Sequence, residues 1–270
     1  MPTFQSDDVT IYYETHGEGF PLVLTYGLGG STKYWGPNID ELAAHYQLVL
    51  WDHRGHGKSD KPVNRDAYGL QAFAKDLKNL LDHLRIEKAH IGGQSLGAGS
   101  AVRLCLNHPE MVSSLLLIAS ASASGLPQPP VMLEMRHKTI KLALEQGMEA
   151  VADEAHRSNL NMISYTKQGW EQQEIVRQMY LDCDANGYAH SVWSLISADP
   201  IADRLDEIKV PTLIMAGTDD PVMKAVEATV ERISHGKFVT IPDASHFSNL
   251  DKPAEFNKHI LEFLNDVNGQ

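Results

Sequence analysis

Short, unbroken apolar runs alternate along most of this chain with longer segments in which apolar residues recur every three or four positions, and that alternation limits the folds open to it. Strand-like runs fall at 9–13, 22–26, 47–52, 89–93, 112–119, 212–217 and 237–241. In one of them Leu115, Leu116, Leu117 and Ile118 are consecutive. A strand with one wet face alternates apolar and polar residues, so a run that is apolar on both faces belongs in a parallel sheet covered on both sides by crossover helices. The segment 67–84 supplies such a helix, with Leu70, Phe73, Leu77, Leu80, Leu81 and Leu84 at spacings of three and four. Further helices read at 35–45, 96–107 and 253–264. Strand followed by helix, repeated, predicts an α/β fold with a mostly parallel sheet.

The alternation breaks once. Residues 120–130 are small and proline-bearing, and from there to about residue 197 the pattern is helical without a convincing strand. The expected organisation is one α/β core domain made of residues 1–124 and 201–270, interrupted by a helical insertion at 125–200. Composition allows such a core, since 43% of the 270 residues are apolar and 21% charged. The charge balance excludes classes of partner. Lys and Arg total 23 against 35 Asp and Glu, a net charge of −12, which argues against nucleic acid, whose phosphates need clustered cations. No amphipathic stretch is rich in basic residues, so an anionic membrane surface is not expected either. No apolar run approaches the roughly 18 residues that a membrane span needs, and the opening residues, with Asp7 and Asp8, lack the apolar stretch of a secretory signal. Cys105 and Cys183 are too few for a disulfide framework and belong to no metal-binding pattern. Reduced, buried thiols in a cytoplasmic protein are the expectation. Nothing in the sequence specifies an oligomeric state.

Gly93-Gln94-Ser95-Leu96-Gly97 fits G-x-S-x-G and lies between a predicted strand and a predicted helix. At such a turn a serine stands exposed above the sheet edge, and small flanking residues permit the tight backbone. A glycine-rich helix start with a capping serine would leave the same letters. As a nucleophile Ser95 needs a base, and the base needs a carboxylate to orient it. His246 stands in the loop after the last predicted strand, on the sheet edge where Ser95 also emerges. His45, His83, His108 and His259 fall on or at the ends of helices and read as solvated. For the carboxylate, Asp219 and Asp220 follow the buried run 212–217. Ser, Asp, His in that chain order is one particular triad architecture.

With these residues in view, the sequence resembles the α/β-hydrolase fold superfamily over nearly its whole length. Asp52-His53-Arg54-Gly55-His56-Gly57-Lys58-Ser59 is similar to the family's D-x-R-G-x-G-x-S loop, and Gly217-Thr218-Asp219-Asp220-Pro221 to its G-x-x-D-P segment. The latter match selects Asp220 as the triad acid. The stretch from Ser245 to Phe256 most resembles the 3-oxoadipate enol-lactonase and carboxylesterase group. The resemblance implies a mostly parallel eight-stranded sheet flanked by helices, with the insertion as a cap. It also implies an oxyanion hole made by the backbone N–H groups of Leu28 and Leu96. Relatives carry His-Gly where this chain has Tyr26-Gly27; the backbone donor survives that change, and the Tyr26 hydroxyl either touches substrate or satisfies a buried partner.

The insertion carries Met132, Met135, Met148, Met162 and Met179 with Tyr165, Trp170, Tyr180, Tyr188 and Trp193. Most of these are expected to form the cap's own small core, and some to line an apolar pocket. Tyr26, Trp193, Met132 and Phe247 are the candidate pocket residues. His53 and His56 invite a metal reading, but no third ligand clusters with them, and no nucleotide-binding pattern is present, so neither metal nor cofactor is expected. The reading that results is a serine hydrolase with Ser95, Asp220 and His246 as its triad, acting on a small-molecule ester or lactone through an acyl-enzyme. Two rivals stay open at this point: a C–C bond hydrolase of meta-cleavage type, and a small-molecule receptor of the same fold that does not turn over.

Overall fold

Parallel pairing at the centre of the sheet follows from strands whose neighbouring residues are buried on opposite faces. Strand β3 (Pro21–Thr25) pairs in parallel with β4 (Gln47–Trp51) on one side and with β5 (Ala89–Gln94) on the other, setting Val23 beside both Val49 and Ile91. The computed structural model describes residues 2–157 and 169–269. Its sheet continues from β5 through β6 (Val112–Ile118) and β7 (Thr212–Gly217) to β8 (Lys237–Ile241), all parallel. At the other edge β1 (Thr3–Ser6) and β2 (Val9–His16) are antiparallel additions, giving eight strands in the order β1-β2-β4-β3-β5-β6-β7-β8.

Side chains alternate across this sheet. Leu22, Leu24, Leu48 and Leu50 project into one core with Phe256, Ile260 and Leu264 of the last helix, whereas Val23, Val49 and Ile91 project into the other with Leu77, Leu80, Ala98 and Ala101. The first face is covered by α1 (Gly36–Ala43) and, numbering the helices in chain order, α9 (Pro253–Asn268); the second by α2 (Leu70–Leu84), α3 (Leu96–Asn107) and α7 (Met223–Arg232). A short α8 (Ser248–Asp251) precedes α9.

Between β6 and β7 the chain forms α4 (Pro130–Arg157), α5 (Gly169–Leu181) and α6 (Ala185–Ile196), with α4 packed on both of the others. At Gly147, φ is 83°, which breaks α4 into two helical pieces. The strands flanking this excursion are sheet neighbours, with Leu115 beside Thr212 and Ile118 beside Met215. Residues on both sides of the helices therefore fold as one sheet.

The chain passes from β3 to β4 on one side and then crosses to β5 on the other, so the order reverses between β3 and β5. Loops leaving the carboxyl ends of these two strands diverge there and open a crevice. Among the described residues no helix is long and apolar enough to cross a membrane.

Candidate active site

Ser95 alone joins β5 to α3, at φ 52° and ψ −113°. A non-glycine residue held there costs on the order of 1–3 kcal/mol, and such strain persists only where the surroundings impose it. Here they do so from both sides of the peptide. The Ser95 N–H donates to the Ile118 carbonyl at 2.9 Å, and the Ser95 carbonyl accepts from Ser122 Oγ at 2.6 Å and Ser120 Oγ at 3.1 Å. The first turn of α3 also lies hard against the end of β3. A Cβ at Gly97 would stand 2.2 Å from Thr25 Oγ1 and 2.6 Å from the Tyr26 carbonyl, so only glycine permits that approach. Leu96 is the first residue of α3, and its N–H belongs to the unpaired set at a helix start.

Asp220 and His246 come to the same sheet edge from the ends of β7 and β8. His246 Nδ1 lies 3.1 Å from Asp220 Oδ2 and 3.2 Å from Oδ1, with both residues buried. A carboxylate can only accept, so this contact favours the tautomer that carries its proton on Nδ1. The two loops are tied to each other: the Thr218 N–H donates to the Ile241 carbonyl at 3.0 Å, the Asp219 N–H to the Ala244 carbonyl at 2.9 Å, and the Asp243 N–H to Thr218 Oγ1 at 3.0 Å. Val222 donates its N–H to Asp220 Oδ1 at 3.0 Å, leaving the carboxylate little freedom to rotate. On the other side of His246, Gln94 Nε2 donates to the His246 carbonyl at 3.0 Å, and Asp251 Oδ2 accepts both the N–H and the hydroxyl of Ser245, at 2.7 and 2.6 Å. Burial pushes the Asp251 carboxyl above the usual range, against those two hydrogen bonds, which pull it down.

Ser95, His246, Leu28, Met132 and Phe247 all line one cavity, roofed by α4 and α6. Two pocket candidates require correction. Tyr26 is fully buried away from the cavity, its hydroxyl accepting the His53 N–H at 3.2 Å and its ring packed against His53 and His56. Of the two roles open to that hydroxyl, the structure shows the buried partner. Trp193 lies in a separate outer hollow, with the Arg65 guanidinium 4.6 Å over its ring and His137 beside it. The reason is helical phase. Tyr188, Val192 and Leu195, spaced by four and three, face the cavity, and Trp193 falls off that stripe.

Met135, Tyr180 and Tyr188 also line the cavity, whereas Met148 and Met179 are buried in the apolar core. Met162 and Tyr165 lie outside the described residues, as does the side chain of Trp170. Sequence reasoning missed Arg136 and Thr139, which line the cavity beside Met132; their spacing of four and three along α4 was the available signal. Both cysteines are buried free thiols. His53 and His56 are enclosed by aromatic rings, and burial pushes both imidazoles down, His56 to about 4. Among the described residues no group of three or more His, Cys, Asp and Glu side chains could hold a metal ion.

A serine elbow at the switch point of an eight-stranded α/β sheet, facing a buried His–Asp pair, defines a class. Residues 21–253 match the family model for the alpha/beta hydrolase fold, and the chain belongs to that family. Among particular proteins, it is 29% identical over 259 residues to 3-oxoadipate enol-lactonase 1 of Acinetobacter baylyi, covering 91% of this chain and 89% of that one. It is 30% identical over 269 residues to a protein of Rhizobium rhizogenes named as carbamate hydrolase RutD, covering 94% and 97%. The crystal structure of an enol-lactonase from Burkholderia xenovorans superposes with a TM-score of 0.87 at 26% identity, covering 98% of this chain and 100% of that one.

Proposed function

We propose that this chain is a serine hydrolase that cleaves a carboxylic ester or lactone of a small, largely apolar molecule through an acyl-enzyme. The observation that carries this reading is the convergence on one cavity of a strained serine and a histidine whose other nitrogen faces a buried carboxylate. In this reading, Ser95 Oγ attacks the substrate carbonyl as His246 Nε2 takes its proton, and Asp220 stabilises the imidazolium that forms. The N–H groups of Leu28 and Leu96 hold the oxyanion; donors of this kind contribute about 10²- to 10³-fold each in kcat. Collapse of the tetrahedral adduct expels the alkoxide, protonated by His246. A water activated by the same imidazole then releases the acid and restores Ser95. These steps call on no metal or organic cofactor. Helices within 125–200 act as a cap over the core formed by 1–124 and 201–270, and their apolar residues select the substrate.

A carbamate is a second reading, favoured by the relative named for that activity. It needs the same nucleophile and oxyanion donors, so substrate turnover separates the two. The first test is covalent. A fluorophosphonate probe is expected to label the wild-type chain at Ser95, read by mass spectrometry of the modified peptide, and to leave Ser95→Ala unlabelled. Equal labelling of both overturns the nucleophile. A turnover panel of aryl esters, lactones, enol-lactones, carbamates and C–C cleavage substrates then assigns the bond.

A further inference from the structure

Among the described residues, the two buried arginines, Arg54 and Arg103, each have a carboxylate partner. Arg54 is held by both oxygens of Asp76, at 2.8 and 2.6 Å, and Arg103 by Asp199 at 2.9 Å together with the Gly99 and Asp199 carbonyls. Arg136 is half-buried, yet its Nε is fully enclosed with no hydrogen-bond partner, and no carboxylate of the described residues is paired with it. Glu154, an acid that also lines the cavity, is ion-paired to Lys138 at 2.7 Å. Burial lowers the Arg136 guanidinium to about 10, against a favourable interaction with Tyr188, so it remains a cation at neutral pH. A partly enclosed charge without a counterion is costly, and its buried Nε–H stays unsatisfied until an acceptor arrives.

Position says where that acceptor would come from. Met132, Arg136 and Thr139 share the face of α4 that lines the cavity containing Ser95 and His246. We propose that Arg136 is an anion subsite of this cavity, and that the substrate is an ester or lactone bearing a carboxylate remote from the scissile bond. This rests on the ester-hydrolase reading for the bond cleaved, but the anion subsite can be tested without it. Arginine presents a planar fork that suits a carboxylate, and the apolar walls around it strengthen the pairing by excluding water. Methionines and aliphatic residues lining the rest of the cavity fit the uncharged remainder of the molecule.

The test uses a matched pair, monomethyl glutarate and methyl pentanoate, which differ by a terminal carboxylate in place of a methyl group. For turnover, followed by methanol release, the wild-type chain is expected to favour monomethyl glutarate in kcat/KM by roughly ten- to a hundredfold, the range of a charge-assisted hydrogen bond. In Arg136→Met that ratio falls to about one or below, and in Arg136→Lys a reduced preference survives. Arg136→Gln, which keeps a polar side chain, is expected to lose the preference as Met does, so the result does not depend on how Met packs. A wild-type ratio near one, or a preference that persists in both neutral variants, overturns the proposal.

Calorimetric binding of the same two esters to Ser95→Ala, with and without Arg136→Met, needs no chemistry. Tighter binding of monomethyl glutarate that disappears in the double variant supports the subsite even where neither ester is hydrolysed, an outcome that would instead remove the ester-hydrolase reading. Equal binding of the two esters by Ser95→Ala overturns the subsite whatever the turnover.

Discussion

An imidazole held by a carboxylate differs from a free one in tautomer as well as in charge, and that difference separates Asp220 from its neighbour. Asp220 presents both oxygens to His246 Nδ1, so replacement by Asn removes the acceptor that keeps the proton on that nitrogen and the charge that stabilises the imidazolium. Asp219 contributes a backbone N–H to the Ala244 carbonyl, a bond that any side chain leaves in place. Asp220→Asn is therefore expected to lower kcat on an activated ester by on the order of 10³- to 10⁴-fold, and Asp219→Asn by no more than a few-fold. Steady-state turnover of the two variants at pH 7.5 makes the comparison; the reverse order would move the orienting role to Asp219. Adjacent acids in a turn after a strand carry no internal mark of which one faces inward. Only the resemblance of Gly217-Thr218-Asp219-Asp220-Pro221 to a family segment separated them in the sequence.

Elements impose a different kind of constraint, because the elbow depends on how closely α3 approaches β3. Gly97→Ala would set a methyl group 2.2 Å from Thr25 Oγ1 and 2.6 Å from the Tyr26 carbonyl, and backbone atoms cannot yield as a flexible side chain can. Overpacking of this kind costs about 1–3 kcal/mol and moves Leu96 and Ser95 along with the helix. Gly36→Ala is the matched control: that Cβ would meet nothing within 4 Å at φ −43°, and the change is expected to be neutral or slightly stabilising. Urea midpoints of the two variants test this, and equal destabilisation would mean that Gly97 is not a contact point. The same scale shows what was legible in the sequence. Strands β7 and β8 and helix α3 have the bounds that apolar pattern and turn residues predict, because central parallel strands and their crossover helices are written in local periodicity. Strand β1 was missed, since Thr3–Ser6 is a short edge strand with alternate residues exposed. Helix α2 begins at Leu70, after Gly69 and a separate 3-10 turn at Arg65–Ala67, rather than at residue 67. Helix α9 runs on to Asn268, with Val267 packed on the core, rather than stopping at 264. The lining of the cavity was the least legible part. Whether Trp193 or Val192 faces inward depends on the rotation of α6 against α4, which no local pattern records.

At the scale of the whole molecule, burial of histidine links stability to pH with a definite sign. His53, His56 and His90 are each fully enclosed, and burial pushes their imidazoles down, His56 and His90 to about 4 and His53 well below its ordinary 6.5. His90 sits at the start of β5 against Phe20 and Tyr46, its Nδ1 2.8 Å from Ser114 Oγ, away from the end of that strand which carries Ser95. In the folded chain all three are neutral at pH 5.5, whereas in the unfolded chain they are largely protonated. The unfolded state thus binds more protons throughout the window from 6.5 down to about 4. Their contribution is fully present above pH 6.5 and is lost as pH falls through that window, at up to about 1.4 kcal/mol per pH unit for each proton taken up. Asp52 and Asp251, raised by burial, work in the opposite sense, but only from the ordinary aspartate value of 3.8 upward to their own raised values. With a total stability of roughly 5–15 kcal/mol for a domain, three such histidines are enough to set the acid limit of the fold. The stability from urea unfolding is accordingly expected to hold between pH 7.5 and 6.5 and to fall steeply from 6.5 to 5. His90→Gln removes one proton from that linkage, so its profile should be shallower over the same interval by up to about 1.4 kcal/mol per pH unit. A wild-type profile that stays flat to pH 5 would mean that protons reach these imidazoles without unfolding the chain.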